Sequence, residues 1–466
     1  MSDRPTTLGD LRASGWEPRT VKAEVRSNLI DRIRAGRPLV DGIVGYEDTV
    51  VPALERAILA GHDIILLGER GQGKTRLIRG LVGLLDEAIP AIDGTETNDD
   101  PYAPSSAAGR RILAEQGDDA PIRWLAPEDR FSEKLATPDI AVADLIGDLD
   151  PIKVAEGRYL TDEETIHHGL VPRTNRGIVS INELPDLPPR IQVALLNVLE
   201  ERDVQIRGHL VRLELDLLLV ATANPEDYTN RGRIITPLKD RFGSEVRTHY
   251  PRTAEHEITI VGQELTPPPA DVVWDLPQVM REVVVALTER ARTSSHVNHR
   301  SGVSVRFSIA NAETLIASAI RRALRTGESP AVPRVADLPS LVQSSMGRLE
   351  FEVFEEGREE ELLRRMVSEA VLDVFRDRLG TADLSGVLAA FDAGVEVETG
   401  DLVPSEQVVA DAGDVPDLAD LLRRLDLAEE SPAHVACGLE FVMEGLHLTR
   451  RLNKDATLSG GTVYAG

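Results

Sequence analysis

The chain has 466 residues, 42% hydrophobic and 28% charged, with a net charge of −26. That length predicts two or three domains with real cores. The acidity argues against a general nucleic-acid binder or an anionic-membrane binder, without excluding a local basic surface or pore. Its one cysteine, Cys437, excludes an intrachain disulfide and fits a reducing compartment. No charged start followed by an apolar run opens the chain, and the longest apolar stretch, residues 217–223, is too short to span a bilayer. A soluble cytoplasmic protein is expected.

Residues 1–40 read as a polar N-terminal extension with a helical pattern over 21–33. Apolar spacing at Val51, Leu54 and Ile58 predicts a helix over 48–60 with Gly61 as its C-cap. The apolar run at 64–67 predicts a buried strand. It leads into Gly68-Glu-Arg-Gly-Gln-Gly-Lys-Thr75 and an amphipathic helix over 76–85. Strand, glycine loop and helix form the required context of the G-x-x-x-x-G-K-[ST] phosphate-binding loop. Its backbone N–H groups and the helix N-terminus hold a polyphosphate. The expected nucleotide-binding residues are Gly68, Glu69, Arg70, Gly71, Gln72, Gly73, Lys74, Thr75 and Arg76. Lys74 is expected at the β- and γ-phosphates and Thr75 at Mg²⁺, so the expected cofactors are ATP and Mg²⁺.

Residues 86–121 read as a long polar loop, of the kind that is usually functional or mobile. A second buried strand over 178–181 ends in Asn182-Glu183, and Pro188-Pro189 opens a helix carrying Ile191, Leu195 and Leu199 on one face. Residues 203–213 alternate like a hairpin. A third strand over 217–222 ends at Asn224-Pro225. Three apolar strands separated by helices predict an α/β fold with a covered parallel sheet. Ligands bind at the carboxyl ends of such strands, where Gly68–Thr75, Glu183 and Asn224 all fall. After a strand over 245–249 the pattern turns helical, with helices over 254–264, 279–292, 308–325, 350–379, 415–427 and 434–452, and a Gly/Ser-rich tail.

Glu183 ends a buried strand beside the expected γ-phosphate, where a carboxylate can orient and deprotonate water. Alone, Asn-Glu after a strand is equally a plain strand terminus. Asn224 can hold the water or the γ-phosphate, or Asn-Pro is a simple turn. Arg241, in Leu238-Lys-Asp-Arg-Phe-Gly243, can reach a neighbouring subunit's γ-phosphate, or can pair with Asp240 or another acid of its own chain. Arg306 starts a helix from which it can touch the γ-phosphate, or it is a solvated helix arginine. His167-His168 lacks metal-site spacing and reads as a surface pair. Arg321, Arg322 and Arg325, with Arg364-Arg365 and Arg450-Arg451, read as solvated helix faces. Cys437 reads as core.

The phosphate loop, Asn182-Glu183, Asn224, Asp240-Arg-Phe242 and Arg306 together resemble the AAA+ ATPases. Within them the chain resembles the clade of the magnesium chelatase I subunit and the MoxR ATPases. Ile43-Val-Gly-Tyr-Glu47 is similar to that clade's opening motif. Asp99-Asp-Pro-Tyr102, Asp144-Leu-Ile-Gly-Asp-Leu-Asp150 and Asn175-Arg-Gly177 look more like the chelatase subunit. Gln192-Val-Ala-Leu-Leu-Asn-Val-Leu-Glu-Glu-Arg202 with its hairpin looks more like MoxR. The resemblance covers roughly residues 41–350.

It implies an AAA+ P-loop NTPase core over 41–250 with a parallel sheet, an all-α lid over 251–348, and a helical C-terminal extension over 349–466. It also implies catalytic roles for Glu183, Asn224, Arg241 and Arg306. The expected assembly is a homo-oligomeric ring, a hexamer, with ATP between subunits. A separate von Willebrand A partner with a metal-ion adhesion site is expected, since this chain has no Asp-x-Ser-x-Ser signature. The family usually has Asp where this chain has Asn182, a position that meets Mg²⁺ through water. Asn keeps one acceptor oxygen and loses the charge, so weaker Mg²⁺ binding is expected and an Asn182→Asp change would tighten it. Three functions stand open: a motor subunit inserting metal into a tetrapyrrole with a large porphyrin-binding subunit, a MoxR-like remodeller, and a nucleotide-gated scaffold. No Gly-Ala-Phe-Thr-Gly-Ala loop is present, so activation of the alternative sigma factor is not expected.

Overall fold

A computed structural model describes residues 4–149, 165–200, 204–206, 209–211, 214–225, 233–298, 302–351, 358–413, 415–427, 431–457 and 461–466. The chain divides into two compact units, Met1–His249 and Tyr250–Gly466. Asp150 and Glu201-Arg202, the ends of two of the sequence motifs, lie outside the described residues.

The first unit is built on a five-stranded parallel sheet: β1 (Ile64–Leu67), β2 (Phe131–Leu135), β3 (Gly177–Asn182), β4 (Leu217–Ala223) and β5 (Ser244–Arg247). The spatial order is β5-β1-β4-β3-β2. Helices flank it: α1 (Val21–Arg34), α2 (Val50–Ala60), α3 (Lys74–Leu81), α4 (Pro189–Glu200) and α5 (Thr236–Arg241). Alternate strand residues point to opposite faces. Ile64 and Leu66, Ile178, Leu218 and Val220 therefore pack with α1, α2 and α3. Ile65 and Leu67, Val179 and Ile181, Leu217 and Leu219 pack with α4 and α5. Both faces are dry, which is why β1 and β4 read as unbroken apolar runs rather than alternating ones.

The N-terminal segment is part of this unit's packing. Thr20 caps α1 by accepting the Ala23 N–H, and Val21, Val25 and Leu29 are buried. Each such burial is worth roughly 1.5–3 kcal/mol. Glu24, 2% exposed, receives both ends of the Arg130 guanidinium at 2.7 and 2.6 Å, just ahead of β2.

The structure departs from the sequence reading in places. Residues 86–121 are not one long loop: they hold a strand, Ile89–Ile92, paired with Ile122–Leu125, and a helix, Ala107–Gln116. The buried Asp99 carboxylate organises the turn by accepting from the hydroxyls of Thr97, Ser105 and Ser106, and Ser106 then caps the helix through Gly109 N–H. The polar composition that reads as loop is in fact side-chain hydrogen bonding inward. The predicted hairpin is present as Val204–Ile206 against His209–Val211.

The second unit has one continuous apolar core running from Val261 to Tyr464. Its principal helices are Ala254–Glu264, Gln278–Thr293, Val305–Thr326, Arg358–Leu379 and Pro432–Leu448. The Gly/Ser-rich tail is not irregular: Thr462–Ala465 forms the middle strand of a small antiparallel sheet between Val397–Thr399 and Asn453–Ala456. Arg322 is not a solvated helix residue. It is fully buried, paired with Glu328 and with Asp337 at 3.1 Å. Helical periodicity marks a face but cannot say that a charged residue on it has acids waiting inside.

Candidate phosphate-binding site

Register brings the strand ends into line. Leu67 stands opposite Ala223 on one side and Arg247 on the other, and Ile181 stands opposite Ala221. The loops that follow β1, β3 and β4 therefore leave from one edge. Gly68 N–H donates to the Ala223 carbonyl at 3.1 Å, and Glu183 N–H donates to the Thr222 hydroxyl at 2.9 Å.

Gly68 cannot be another residue without rearrangement. A Cβ there would sit 1.8 Å from Thr248 Oγ1 and 2.3 Å from Gln72 Oε1, two atoms already joined by a 2.7 Å hydrogen bond. Gly73 has φ +70°, which only glycine adopts freely, and the next residue starts α3. The sequence-predicted helix start at 76 thus moves to Lys74, so the helix N-terminus opens directly into the loop. Tyr46, in Ile43-Val-Gly-Tyr-Glu47, ties the loop down: its one hydroxyl proton is shared between the carbonyls of Gln72 and His249, each 2.7 Å from the oxygen. Burial pushes its pKa up to about 12.

Lys74 lies inside the loop. Its ammonium donates to the Gly68 carbonyl, to the Glu69 carbonyl at 2.7 Å and to Asn224 Oδ1 at 2.9 Å. Asn224, 7% exposed, is thus brought to the phosphate loop from a strand end 150 residues away. Thr75 is half-buried in the first turn of α3, Gln72 is buried, and Arg70 and Arg76 are exposed.

Glu183 follows β3 with φ +57° and ψ +46°, a left-handed conformation for a residue with a Cβ. Such backbone costs about 1 kcal/mol or more and clusters at working sites. Asn182, before it, donates Nδ2–H to Glu133 Oε1 at 2.5 Å, and its buried Oδ1 has no hydrogen-bond partner among the described residues. An unpaired acceptor beside a phosphate loop fits the water shell of Mg²⁺. Glu133 and Arg79 escaped the sequence reading. Arg79 lies on α3 and donates to Glu133 Oε2 at 2.8 Å; the strand Phe131–Leu135 that carries Glu133 was not predicted, because its Ser-Glu-Lys centre has no apolar run.

Arg241 ends α5, half-exposed, and pairs with Glu200 at 2.5 Å rather than with Asp240. Gln192, 1% exposed, aims that segment: Nε2 donates to the Leu187 and Arg233 carbonyls, and Oε1 accepts Ile235 N–H at 2.9 Å. Arg306 is exposed in the first turn of Val305–Thr326, in the second unit. The structure brings the loop, Asn182, Glu183 and Asn224 to one edge of the sheet; Arg241 is paired with Glu200, and Arg306 belongs to the second unit. His167 is exposed, and the described residues contain no group of histidine, cysteine and acids able to hold a metal by themselves. Cys437 is buried, as expected.

Residues 154–241, which contain Asn182, Glu183, Asn224 and Arg241, match the family model described as the Sigma-54 interaction domain. The chain is 28% identical over 232 residues to the magnesium-chelatase 38 kDa subunit of Rhodobacter capsulatus, covering 47% of this chain and 58% of that one. It is 27% identical over 232 residues to the chaperone MoxR1 of Mycobacterium tuberculosis, covering 50% of this chain and 53% of that one. By these matches the chain is similar to the magnesium-chelatase I subunits and to MoxR1. It spans little more than half the length of these relatives. A structure of the BchI–BchD magnesium chelatase complex aligns with 22% identity and a TM-score of 0.35, covering 69% of this chain and 97% of that one. Among the described residues no helix is long and apolar enough to cross a membrane.

Proposed function

We propose that this AAA+ chain binds ATP with Mg²⁺ and hydrolyses it in a ring of its own copies, using the energy to remodel a partner or to drive metal insertion. The observation that carries this reading is the bond from Lys74, inside the glycine loop, to Asn224, with the strained Glu183 leaving the same sheet edge beside Thr222. In the proposal Lys74 neutralises the β- and γ-phosphates, and Glu183 takes the proton of a water that Asn224 orients. Thr75 and Asn182 Oδ1 would hold the cation, directly and through water. Bound Mg²⁺ supplies polarisation of the phosphate oxygens. Arg241 acts across a subunit boundary, and Arg306 reports nucleotide state from a lid spanning 251–348, with 349–466 as an extension.

Two finer readings differ in partner. A chelatase-like motor would work with a von Willebrand A protein and a large porphyrin-binding subunit; a MoxR-like remodeller would need only the former. Asn182 favours a third, a nucleotide-gated scaffold with little turnover. Sigma-factor activation is not proposed, since the chain lacks Gly-Ala-Phe-Thr-Gly-Ala. The test is ATP turnover with Lys74→Ala and Glu183→Gln. Glu183→Gln is expected to lower turnover at least about 100-fold while nucleotide stays bound, and Lys74→Ala to lose both. Turnover unaffected by either change overturns the assignment. Capture with ATP-loaded Glu183→Gln then separates the partners: a porphyrin-binding subunit marks the motor, a von Willebrand A protein alone the remodeller.

A further inference from the structure

Glu133 is the carboxylate that meets Asn182 among the described residues, and it stands in a different strand. In the pairing of β2 with β3 it lies opposite Ser180, two residues before Asn182, with their side chains on the same sheet face. Its two oxygens are both used: Oε1 accepts from Asn182 Nδ2 at 2.5 Å and Oε2 from Arg79 Nε at 2.8 Å. Only 19% of the Glu133 side chain is exposed, against 66% of Arg79.

An ionised carboxylate can only accept. It therefore dictates which end of the Asn182 amide faces it: Nδ2 must, and Oδ1 must turn away. That is why Oδ1 is left buried and without a partner among the described residues. We propose that Glu133 is a positioning residue for the nucleotide-bound divalent cation. It locks Asn182 as a neutral acceptor and supplies, from the neighbouring strand, the negative charge that Asn182 lacks. The pair is a divided form of a single aspartate: the acceptor oxygen sits on β3 and the charge on β2.

This changes the expectation for Asn182→Asp. Alone, that substitution sets one carboxylate against another at hydrogen-bond distance, in a spot where the donor was essential. It is expected to weaken cation binding rather than tighten it. Glu133→Gln removes the charge and lets the Asn182 amide turn over. The double variant Glu133→Gln/Asn182→Asp restores one donor, one acceptor and one charge with the strands exchanged.

The proposal rests on the nucleotide-binding reading, and the experiment separates the two. Binding of a fluorescent ADP to the full chain is measured in chelator, and Mn²⁺ affinity of the ADP complex is then measured by electron paramagnetic resonance. Each single variant is expected to weaken Mn²⁺ by about 10-fold, the scale of lost outer-shell partners, and the double variant to return within about 3-fold of the wild type. Thermal melting of each variant excludes misfolding as the cause. Additive losses in the double variant, or tighter Mn²⁺ binding by Asn182→Asp alone, overturn the role of Glu133 while nucleotide binding stands. Failure of the wild-type chain to bind ADP overturns the nucleotide site and this proposal with it.

Discussion

Among the described residues Lys74 donates to the Gly68 and Glu69 carbonyls and to Asn224 Oδ1, which fixes its ammonium inside the glycine loop. Asn224 reaches it from the end of β4, so a change at either residue disturbs the other. Arg241 is built differently. Its bond to Glu200 joins two side chains that are 43% and 42% exposed, a pair worth about 0–1 kcal/mol. A guanidinium held so lightly can be recruited elsewhere at little cost. Arg241→Ala is therefore expected to leave thermal stability of the isolated chain within about 1 kcal/mol of wild type. In the assembled chain it should lower ATP turnover by about 1,000-fold, the scale of an arginine supplied to a phosphoryl-transfer transition state. Unchanged turnover at saturating ATP would return Arg241 to a surface ion pair.

At the scale of elements, the phosphate loop is clamped between β1, β5 and the Tyr46 segment. Thr248 N–H donates to the Leu67 carbonyl at 2.9 Å while its hydroxyl donates to Gln72, so the chain leaving β5 holds the loop leaving β1. Gly68 permits this approach because it has no Cβ. Gly68→Ala is expected to destabilise the first unit and to abolish nucleotide binding, since the new methyl meets the Thr248 hydroxyl. Adding Thr248→Ala removes that atom and leaves the end of the flexible Gln72 side chain and a tight 3.1 Å approach to the Cβ of residue 248. Calorimetry of the two variants is the check: the double variant should recover part of the lost stability. A Gly68→Ala chain with normal melting and binding would show that the clamp is looser than drawn. The buried Glu24–Arg130 pair does comparable work for α1, tying the N-terminal segment to the approach to β2 across 106 residues.

At the scale of the whole molecule, the glycine loop with Lys74, Glu183 and Asn224 belongs to the first unit, while the apolar core of the second encloses a network of buried charge. Arg322 donates to Glu328, to Asp337 and to the Val332 carbonyl, and it is fully buried. Removing one partner from such a network typically costs about 3–5 kcal/mol, because the acids stay behind unpaired. Burial alone would raise the Glu328 carboxyl; the Ser405 hydroxyl and amide and the Arg322 guanidinium outweigh it and hold it below the ordinary glutamate value. Its folded form therefore keeps its charge more readily than the unfolded chain does. The stabilisation is full above the ordinary glutamate pKa and is lost as pH falls through the lower folded value. Glu440 acts in the opposite sense: burial raises it, so protonation in acid favours the folded form.

Glu328→Gln is accordingly expected to be less stable than wild type at neutral pH and to lose less stability in acid. Cys437 offers the readout, because burial pushes its thiol up and keeps it from reagents until the second unit opens. Parallel acid profiles of Cys437 labelling in the two chains would remove Glu328 as the cause.

What the sequence by itself determined is local or periodic. The phosphate loop is eight contiguous residues whose function needs their order, so Gly68 to Thr75 could be read directly. The buried strands announced themselves because a parallel sheet covered on both faces leaves no room for polar alternation, and that placed Asn182-Glu183 and Asn224 at strand ends. Helix positions in the second unit followed in part from apolar spacing: Ala254–Glu264 matches and Gln278–Thr293 and Val305–Thr326 shift by a turn or less, but the helix expected from 350 is described from Arg358, and Ser340–Met346, Ser385–Asp392 and Ser405–Ala412 were not predicted. What only the tertiary structure decided depends on side chains far apart in the chain. Asp99 turns a polar stretch into ordered structure, the tail becomes a central strand, and Arg322 goes inside because Glu328 and Asp337 meet it there. Glu133 reaches Asn182 across 49 residues only because β2 and β3 are neighbours in register. Hydrogen bonds and ion pairs between distant residues leave no period in a sequence, and here they determine which way the Asn182 amide faces.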